Sequence, residues 1–307
     1  MLYAMIDVGS NTIRMAVYEI DSDRIEMIMK RKNAVGLASY VRDGIMRREG
    51  IEKVVEIING YNEFLNDFGI YKVTAFTTAA IRNAINGKQV VDEIAYRTGR
   101  EIHVMTGDEE ATFDFIGATH NLVDEDGLLI DIGGASTEIV YFENRSIKVK
   151  VSLPIGSLSF HTRYTGIHIL PSASECNEMR AEAEATISAV KEFQEVTHAQ
   201  ICGIGGTFKG AMALYNSMFG LPKKNSRMEV KRMTDILWRF QREHELTQQD
   251  KILLMKTVPE RMHTFLPGLI IADVLAKRFK SMHIIFSDSG VREGYIYDRI
   301  IDSEDFN

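Results

Sequence analysis

Apolar and polar residues alternate through 2–8, 12–20 and 24–35, a period of two that predicts three strands. Tight turns are expected at Gly9-Ser10 and Asp21-Ser22-Asp23. The period then changes: Ile51, Val54, Val55, Ile58, Tyr61 and Leu65 recur at helical spacing over 51–68, and Gly69 stops the run. A strand at "KVTAFTT", helical stretches across 79–98, a strand at "EIHVM" and a helix over 107–121 complete one α/β unit. At Asp124-Glu125-Asp126-Gly127 the pattern breaks and restarts, with strands at 128–132, 136–142 and 145–153. Helices near 157–164 and over 174–195, a strand at 199–204, a helix from 207 and more helices through 279 follow. "MHIIF" predicts a last strand and 290–300 a closing helix. The reading is an α/β fold of two related domains, 1–125 and 126–307, with the last helix packing back on the first.

The restart is also a repeat of residues. Shifting "MLYAMIDVGSNTIRMAVYEI" by 124 positions onto "GLLIDIGGASTEIVYFE" puts Asp7 on Asp131, Gly9 on Gly133, Thr12 on Ser136 and Glu19 on Glu143 without a gap. With Gly133-Gly134 as a two-residue hairpin loop, Asp131 is expected to face Ser136, and Asp131, Ser136 and Glu138 share one face. Two carboxylates and a hydroxyl suit Mg²⁺, which takes one or two carboxylates and keeps water and phosphate oxygens as its other ligands. In the first copy Asp7, Thr12 and Arg14 share a face, and Arg14 stands where the second copy has Glu138. One hairpin offers a cation to phosphate, the other anions to a metal.

Composition narrows the classes. A chain of 307 residues is too long for one ordinary core, and 45% apolar with 26% charged residues is a globular balance. A net charge of −7 argues against general nucleic-acid binding. It leaves "LPKKNSRMEVKR", with Lys223, Lys224, Arg227, Lys231 and Arg232, as a local rim for a polyanion. No basic region precedes an apolar run at the start, so neither a signal peptide nor a membrane span is expected. Cys176 and Cys202 lack metal-ligand spacing and read as buried, reduced thiols of a cytoplasmic protein. The histidines, among them His161, His244 and His263, show no paired spacing for zinc, and no Gly-x-Ser-x-Gly elbow occurs. "ICGIGGTFKGAMALY" reads as strand, Gly205-Gly206 turn and helix, an amide-rich place for an anion or nucleotide. In "MTGDEEATF", Thr106 and Glu109 fit a capping box and Asp108 suits the helix dipole, which leaves Glu110 over at an acidic helix start.

"IDVGSNTIR", "TTAAIRNA", "TGDEEA", "IDIGGASTE", "SLPIGS", "GIGGT" and "SDSGVREG", in that order from about residue 3 to 298, resemble the exopolyphosphatase/guanosine pentaphosphate phosphohydrolase family. That family belongs to the actin, sugar-kinase and chaperone-ATPase superfamily. The resemblance implies two actin-like (ribonuclease-H-like) domains with a duplicated hairpin phosphate loop, facing across a cleft, in a homodimer. It implies Glu110 as general base, with Arg14 and Arg82 compensating charge. Ser10, Asn11, Gly133, Gly134 and Ser136 would hold the terminal phosphoryl group, and Gly205, Gly206 and Thr207 would contact substrate. Asp131 and Glu138 would carry Mg²⁺ (Mn²⁺ as the substitute), with Asp7 reaching it from the opposite domain. The expected activity is Mg²⁺-dependent release of terminal phosphate from inorganic polyphosphate. Guanosine pentaphosphate hydrolysis, a non-catalytic alarmone sensor and an ATP-dependent kinase are the alternatives. Three positions depart from the family pattern: Ala135 replaces the usual third glycine, Glu229 stands near a histidine's place, and His263 stands where an acid is common.

Overall fold

The computed structural model describes residues 1–21, 24–120, 125–243 and 245–302. Ser22 and Asp23 of the expected turn, Asp124 of the expected break, and His244 lie outside the described residues. The chain divides into two compact units: Met1–Glu110 with the segment from Tyr295, and Ala111–Gly294.

In the first unit β1 (Leu2–Val8), β2 (Thr12–Asp21) and β3 (Arg24–Ala34) form the expected antiparallel meander. A small hairpin, β4 (Val41–Arg42) and β5 (Ile45–Met46), leads to helix α1 (Arg48–Asp67). Then come β6 (Val73–Thr77), α2 (Ala79–Arg82), α3 (Gly87–Thr98) and β7 (His103–Val104), and α4 (Gly107–Thr119) begins in the first unit and belongs to the second from Ala111 on. The sheet order is β3-β2-β1-β6-β7, with β6 and β7 parallel to β1. The apolar stripe of α1, including Ile51, Val54, Ile58 and Leu65, packs in one core with Ile13, Met15 and Val17 of β2. Gly69 then takes a left-handed φ of 64°, the conformation that ends a helix at little cost for glycine. The run at 79–98 is split because the Asn86 carboxamide brackets the backbone of Met46, at 2.9 Å to its nitrogen and 3.0 Å to its oxygen.

The second unit repeats the plan. Strands β8 (Gly127–Ile132), β9 (Thr137–Glu143) and β10 (Ser146–Leu153) are followed by α5 (Ser157–Phe160), α6 (Ala173–Ser188), β11 (Gln200–Ile204) and α7 (Gly205–Met218). The remainder is β12 (Arg227–Glu229), α8 (Val230–Arg239), α9 (Gln248–Thr257), α10 (Met262–Arg278), β13 (His283–Phe286) and α11 (Val291–Ile296). The sheet order is β10-β9-β8-β11-β13-β12. Central strand β8 is buried on both faces: Leu128, Ile130 and Ile132 join the large core with α6, α7 and α10, while Leu129 packs with Ala111, Phe115 and Ala118 of α4. Fully buried Asp273 on α10 is held by Arg180 of α6, Lys277 at 2.8 Å and Thr234 of α8 at 3.4 Å, tying three helices together. Strand β12 is not visible in the periodicity, because three residues carry no pattern and only pairing with β13 makes them a strand. It divides the expected basic rim. Arg227 lies on β12, whereas Arg232 lies on α8, 3.6 Å from Glu229 and over the Phe219 ring.

Cys176 and Cys202 are both buried, as expected, and burial pushes the Cys176 thiol up to about 11. Among the described residues no helix is long and apolar enough to cross a membrane.

Helices α4 and α11 cross backbone to backbone. A Cβ on Gly117 would lie 2.2 Å from the Gly290 oxygen, and one on Gly294 would lie 1.8 Å from the Phe113 oxygen. Gly60, inside α1, has open space instead, with nothing within 4 Å of where a Cβ would stand. Gly117→Ala is therefore expected to destabilise by about 1–3 kcal/mol through overpacking. Gly60→Ala is expected to stabilise by about 0.5–1 kcal/mol through helix propensity; urea unfolding of both variants checks the contrast.

Candidate active site

The two hairpins close in the same way. Asp7 stands opposite Arg14 in the β1/β2 ladder, and Asp131 stands opposite Glu138 in β8/β9, so the sequence shift of 124 holds in the pairing register. The Gly9 amide donates to the Thr12 carbonyl at 3.2 Å, and the Gly133 amide donates to the Ser136 carbonyl at 3.0 Å. A Cβ on Gly9 would come within 3.0 Å of that oxygen, and one on Gly133 within 3.2 Å. Neither glycine has a positive φ, so close approach is what requires them.

The expected two-residue loop is corrected. The ladder ends at Ile132 opposite Thr137, the loop is Gly133–Ser136, and the partner of Asp131 is Glu138 rather than Ser136. The reason lies in the segment after β10. Ser157 donates to the Gly133 carbonyl, and Leu158 and Ser159 to that of Gly134, all at 2.9 Å, and these bonds hold the loop out of the ladder. The Ser157 hydroxyl adds a second bond to Gly133. In the first loop, Ala38 donates to Ser10 at 2.8 Å, and Val35 and Gly36 donate to Asn11 at 3.0 and 2.9 Å. Among the described residues no peptide bond is cis, so each N–H points opposite to the carbonyl of its own peptide unit. The amides of Asn11, Gly134 and Ala135 thus turn away from the bracing segments. Ala135 has no positive φ, so its methyl group introduces no backbone strain.

Directly opposed residues share a face, so Asp131 and Glu138 form a carboxylate pair. Glu138 is only 1% exposed, and its Oε1 accepts from Ser152 of β10 at 2.7 Å. Gly205, with φ 76°, lies against Asp131; a Cβ there would meet Oδ1 at 2.2 Å. Helix α7 begins at Gly205 without a side-chain cap, while Thr207 donates its hydroxyl to the Ile132 carbonyl at 2.7 Å. The Arg261 guanidinium covers Gly206, where a Cβ would fall 1.9 Å from Nη2. Buried Asp7 in the first unit pairs with Arg14 at 3.4 Å. The neighbouring Thr12 hydroxyl, in a residue 3% exposed, has no hydrogen-bond partner. Among the described residues no group of three or more His, Cys, Asp and Glu is gathered as a metal site. The pair Asp131 and Glu138 nevertheless fits the one or two carboxylates that Mg²⁺ takes from a protein.

At the start of α4 the expected capping box is present: the Thr106 hydroxyl accepts from the Glu109 amide at 3.1 Å, and Glu109 Oε2 accepts from the Thr106 amide at 2.8 Å. Burial tends to raise the Glu109 carboxyl, but its bonds to Thr106 and the nearby His103 outweigh burial and hold it below the ordinary range. Glu110, one residue on, is paired with Arg82 at 2.7 Å, and Arg82 also donates to the Met105 carbonyl at 3.0 Å. Their side chains are 11% and 15% exposed, so this is a sheltered pair rather than a surface salt bridge. The His161 and His263 rings meet edge to face at 5.1 Å, and burial, then His161 and Arg261, depress the His263 imidazole. Glu229 precedes α8 and pairs with Arg232. Ser152 and Ser157 are the first and last residues of the motif "SLPIGS" and Arg261 lies in "PERMHTFLPG", but nothing local in the sequence signals their contacts with Glu138, Gly133 and Gly206.

Thr106→Ala is expected to cost about 1 kcal/mol at neutral pH. Because the Glu109 value is lowered in the folded state, its contribution is complete above the unfolded value of 4.5 and is lost as pH falls through the folded value beneath it. Unfolding of wild type and variant between neutral and acid pH should show the gap narrowing on the acid side.

Residues 16–302 match the model of the Ppx/GppA phosphatase family. A guanosine-5'-triphosphate,3'-diphosphate pyrophosphatase of Photobacterium profundum is 26% identical over 97% of this chain and 59% of its own length. A putative exopolyphosphatase of Haemophilus influenzae is 25% identical over 96% of this chain and 90% of its own. The chain therefore spans less than two thirds of the first relative and most of the second. The crystal structure of the Aquifex aeolicus Ppx/GppA family member superposes with a TM-score of 0.77 at 23% identity, covering 99% of both chains. That likeness gives both units the actin-like fold.

Proposed function

The chain belongs to the Ppx/GppA phosphatase family, and on that premise we propose that it hydrolyses the terminal phosphoanhydride bond of a linear phosphate chain, inorganic polyphosphate first. One observation carries the reading: two hairpins of identical register bear opposite charge at the equivalent place, Arg14 opposite Asp7 and Glu138 opposite Asp131. In the first unit the Asn11 amide and the hydroxyls of Ser10 and Thr12 suit phosphate oxygens, and in the second the amides of Gly134 and Ala135 and the hydroxyl of Ser136 do so. An unsatisfied buried hydroxyl costs about 1–3 kcal/mol, and a phosphate oxygen would satisfy that of Thr12. The amides at the start of α7, Gly205 to Thr207, suit a further phosphate.

Glu110 accepts the proton of a water whose oxygen attacks the terminal phosphorus; the bond to the bridging oxygen breaks and the shortened chain leaves with it. Arg82 fixes the direction of the Glu110 carboxylate and, with Arg14, compensates negative charge on the phosphoryl oxygens in the transition state. A divalent ion, Mg²⁺ by the chemistry of its donors, would be held by Asp131 and Glu138 and would neutralise phosphate oxygens. The fuller length match with the Haemophilus influenzae protein supports polyphosphate as substrate. The name of the Photobacterium profundum relative supports guanosine pentaphosphate as the second reading.

Glu110→Gln is expected to lower kcat by about 10²–10⁴-fold with little change in unfolding. Phosphate release from polyphosphates of graded length, run beside guanosine pentaphosphate, reads both rate and preference. Near-normal turnover in the variant ends the role of Glu110, and release that requires ATP and an acceptor ends the hydrolytic reading. EDTA is expected to abolish release and added Mg²⁺ to restore it.

A further inference from the structure

We propose that Lys32 is a substrate-binding residue that extends the cationic position of Arg14 outward, to the phosphates behind the terminal one. The proposal rests on the polyphosphate reading above. It comes from the register of the first meander. Asp7 pairs with Arg14 across β1/β2, and Arg14 pairs with Lys32 across β2/β3, so the three side chains form one row on one face. The matching row of the second unit is Asp131, Glu138 and Ser152. One scaffold position thus carries acid, Arg and Lys in the first unit, and acid, acid and hydroxyl in the second.

The first row is graded in exposure. Asp7 is buried, the Arg14 side chain is 29% exposed, and Lys32 is exposed on the outermost strand. It lies next to the first loop, since Ala34 pairs with Thr12 and Val35 donates to the Asn11 carbonyl. Lys30, opposite Ala16 and before the bulge at Val17/Tyr18, shares the face of Lys32 by alternation. Arg31, between them, goes to the other face and covers the Phe64 ring at 4.1 Å. The cations on the Arg14 face therefore run from the loop along β3, the arrangement a linear polyanion requires. The bland explanation is that lysines on an edge strand only discourage pairing with other chains, and it predicts no effect on substrate.

The test measures calorimetric binding of inorganic tripolyphosphate, and KM with kcat for longer polyphosphate, over a range of salt. Proteins compared are wild type, Lys32→Gln, Lys32→Arg and, as a surface-charge control, Lys88→Gln. Lys32→Gln should weaken binding by about threefold to tenfold, acting on KM more than on kcat. It should also reduce the slope of log affinity against log salt by about one. Lys32→Arg should restore binding, and Lys88→Gln should leave it unchanged. Equal affinity and equal salt slope in Lys32→Gln and wild type overturn the proposal. Wild type that binds tripolyphosphate without releasing phosphate ends the hydrolytic reading, while Lys32 is still decided by the affinities. Wild type that binds none ends both.

Discussion

The candidate residues of each unit depend on the register of one short antiparallel hairpin. Side chains alternate along a strand, so a slip of one residue would send Asp7, Arg14, Asp131 and Glu138 to the opposite face. In each hairpin an amide from glycine to the last loop carbonyl closes the turn, Gly9 to Thr12 and Gly133 to Ser136. Glycine is needed there because any side chain would press on that carbonyl. The segments that follow each meander then take up the loop carbonyls, which leaves amides turned the other way. Charge placement and amide direction are thus two results of one backbone arrangement.

What differs between the hairpins is chemistry. Arg14 pairs with Asp7 in the first unit, whereas Glu138 sets a second carboxyl group opposite Asp131 in the second. With Glu138 buried and Asp131 half-buried, such a pair is costly unless hydrogen bonds or a cation offset it. Ser152 supplies one hydrogen bond to Glu138. Gly205, bare of side chain, lets the uncapped start of α7 come against Asp131, where the helix dipole favours an anion.

Glu110 shows how local and tertiary effects divide one short stretch. Its neighbour Glu109 is committed to capping α4, a local requirement met by Thr106. Glu110 points instead to Arg82, which arrives from α2 after strand β6, and the backbone oxygen of Met105 fixes that arginine as well. Two adjacent glutamates thereby receive separate partners, one local and one brought by the fold.

The sequence by itself determined the doubled meander, the order of strands and helices, the capping box and the repeat at a spacing of 124, because each rests on periodicity or local turn chemistry. Strand period two marks which residues share a face, so the pairing of Asp131 with Glu138 on one side was legible although their direct opposition was not. Tertiary structure decided the rest. Loop Gly133–Ser136 is longer than a two-residue hairpin because Ser157, Leu158 and Ser159 pull its carbonyls from the ladder. Strand β12 exists only by pairing with β13. Arg82 meets Glu110, and Arg261 meets Gly206, only after distant segments pack. Contacts between residues far apart in the chain leave no local pattern, since packing rather than propensity brings them together.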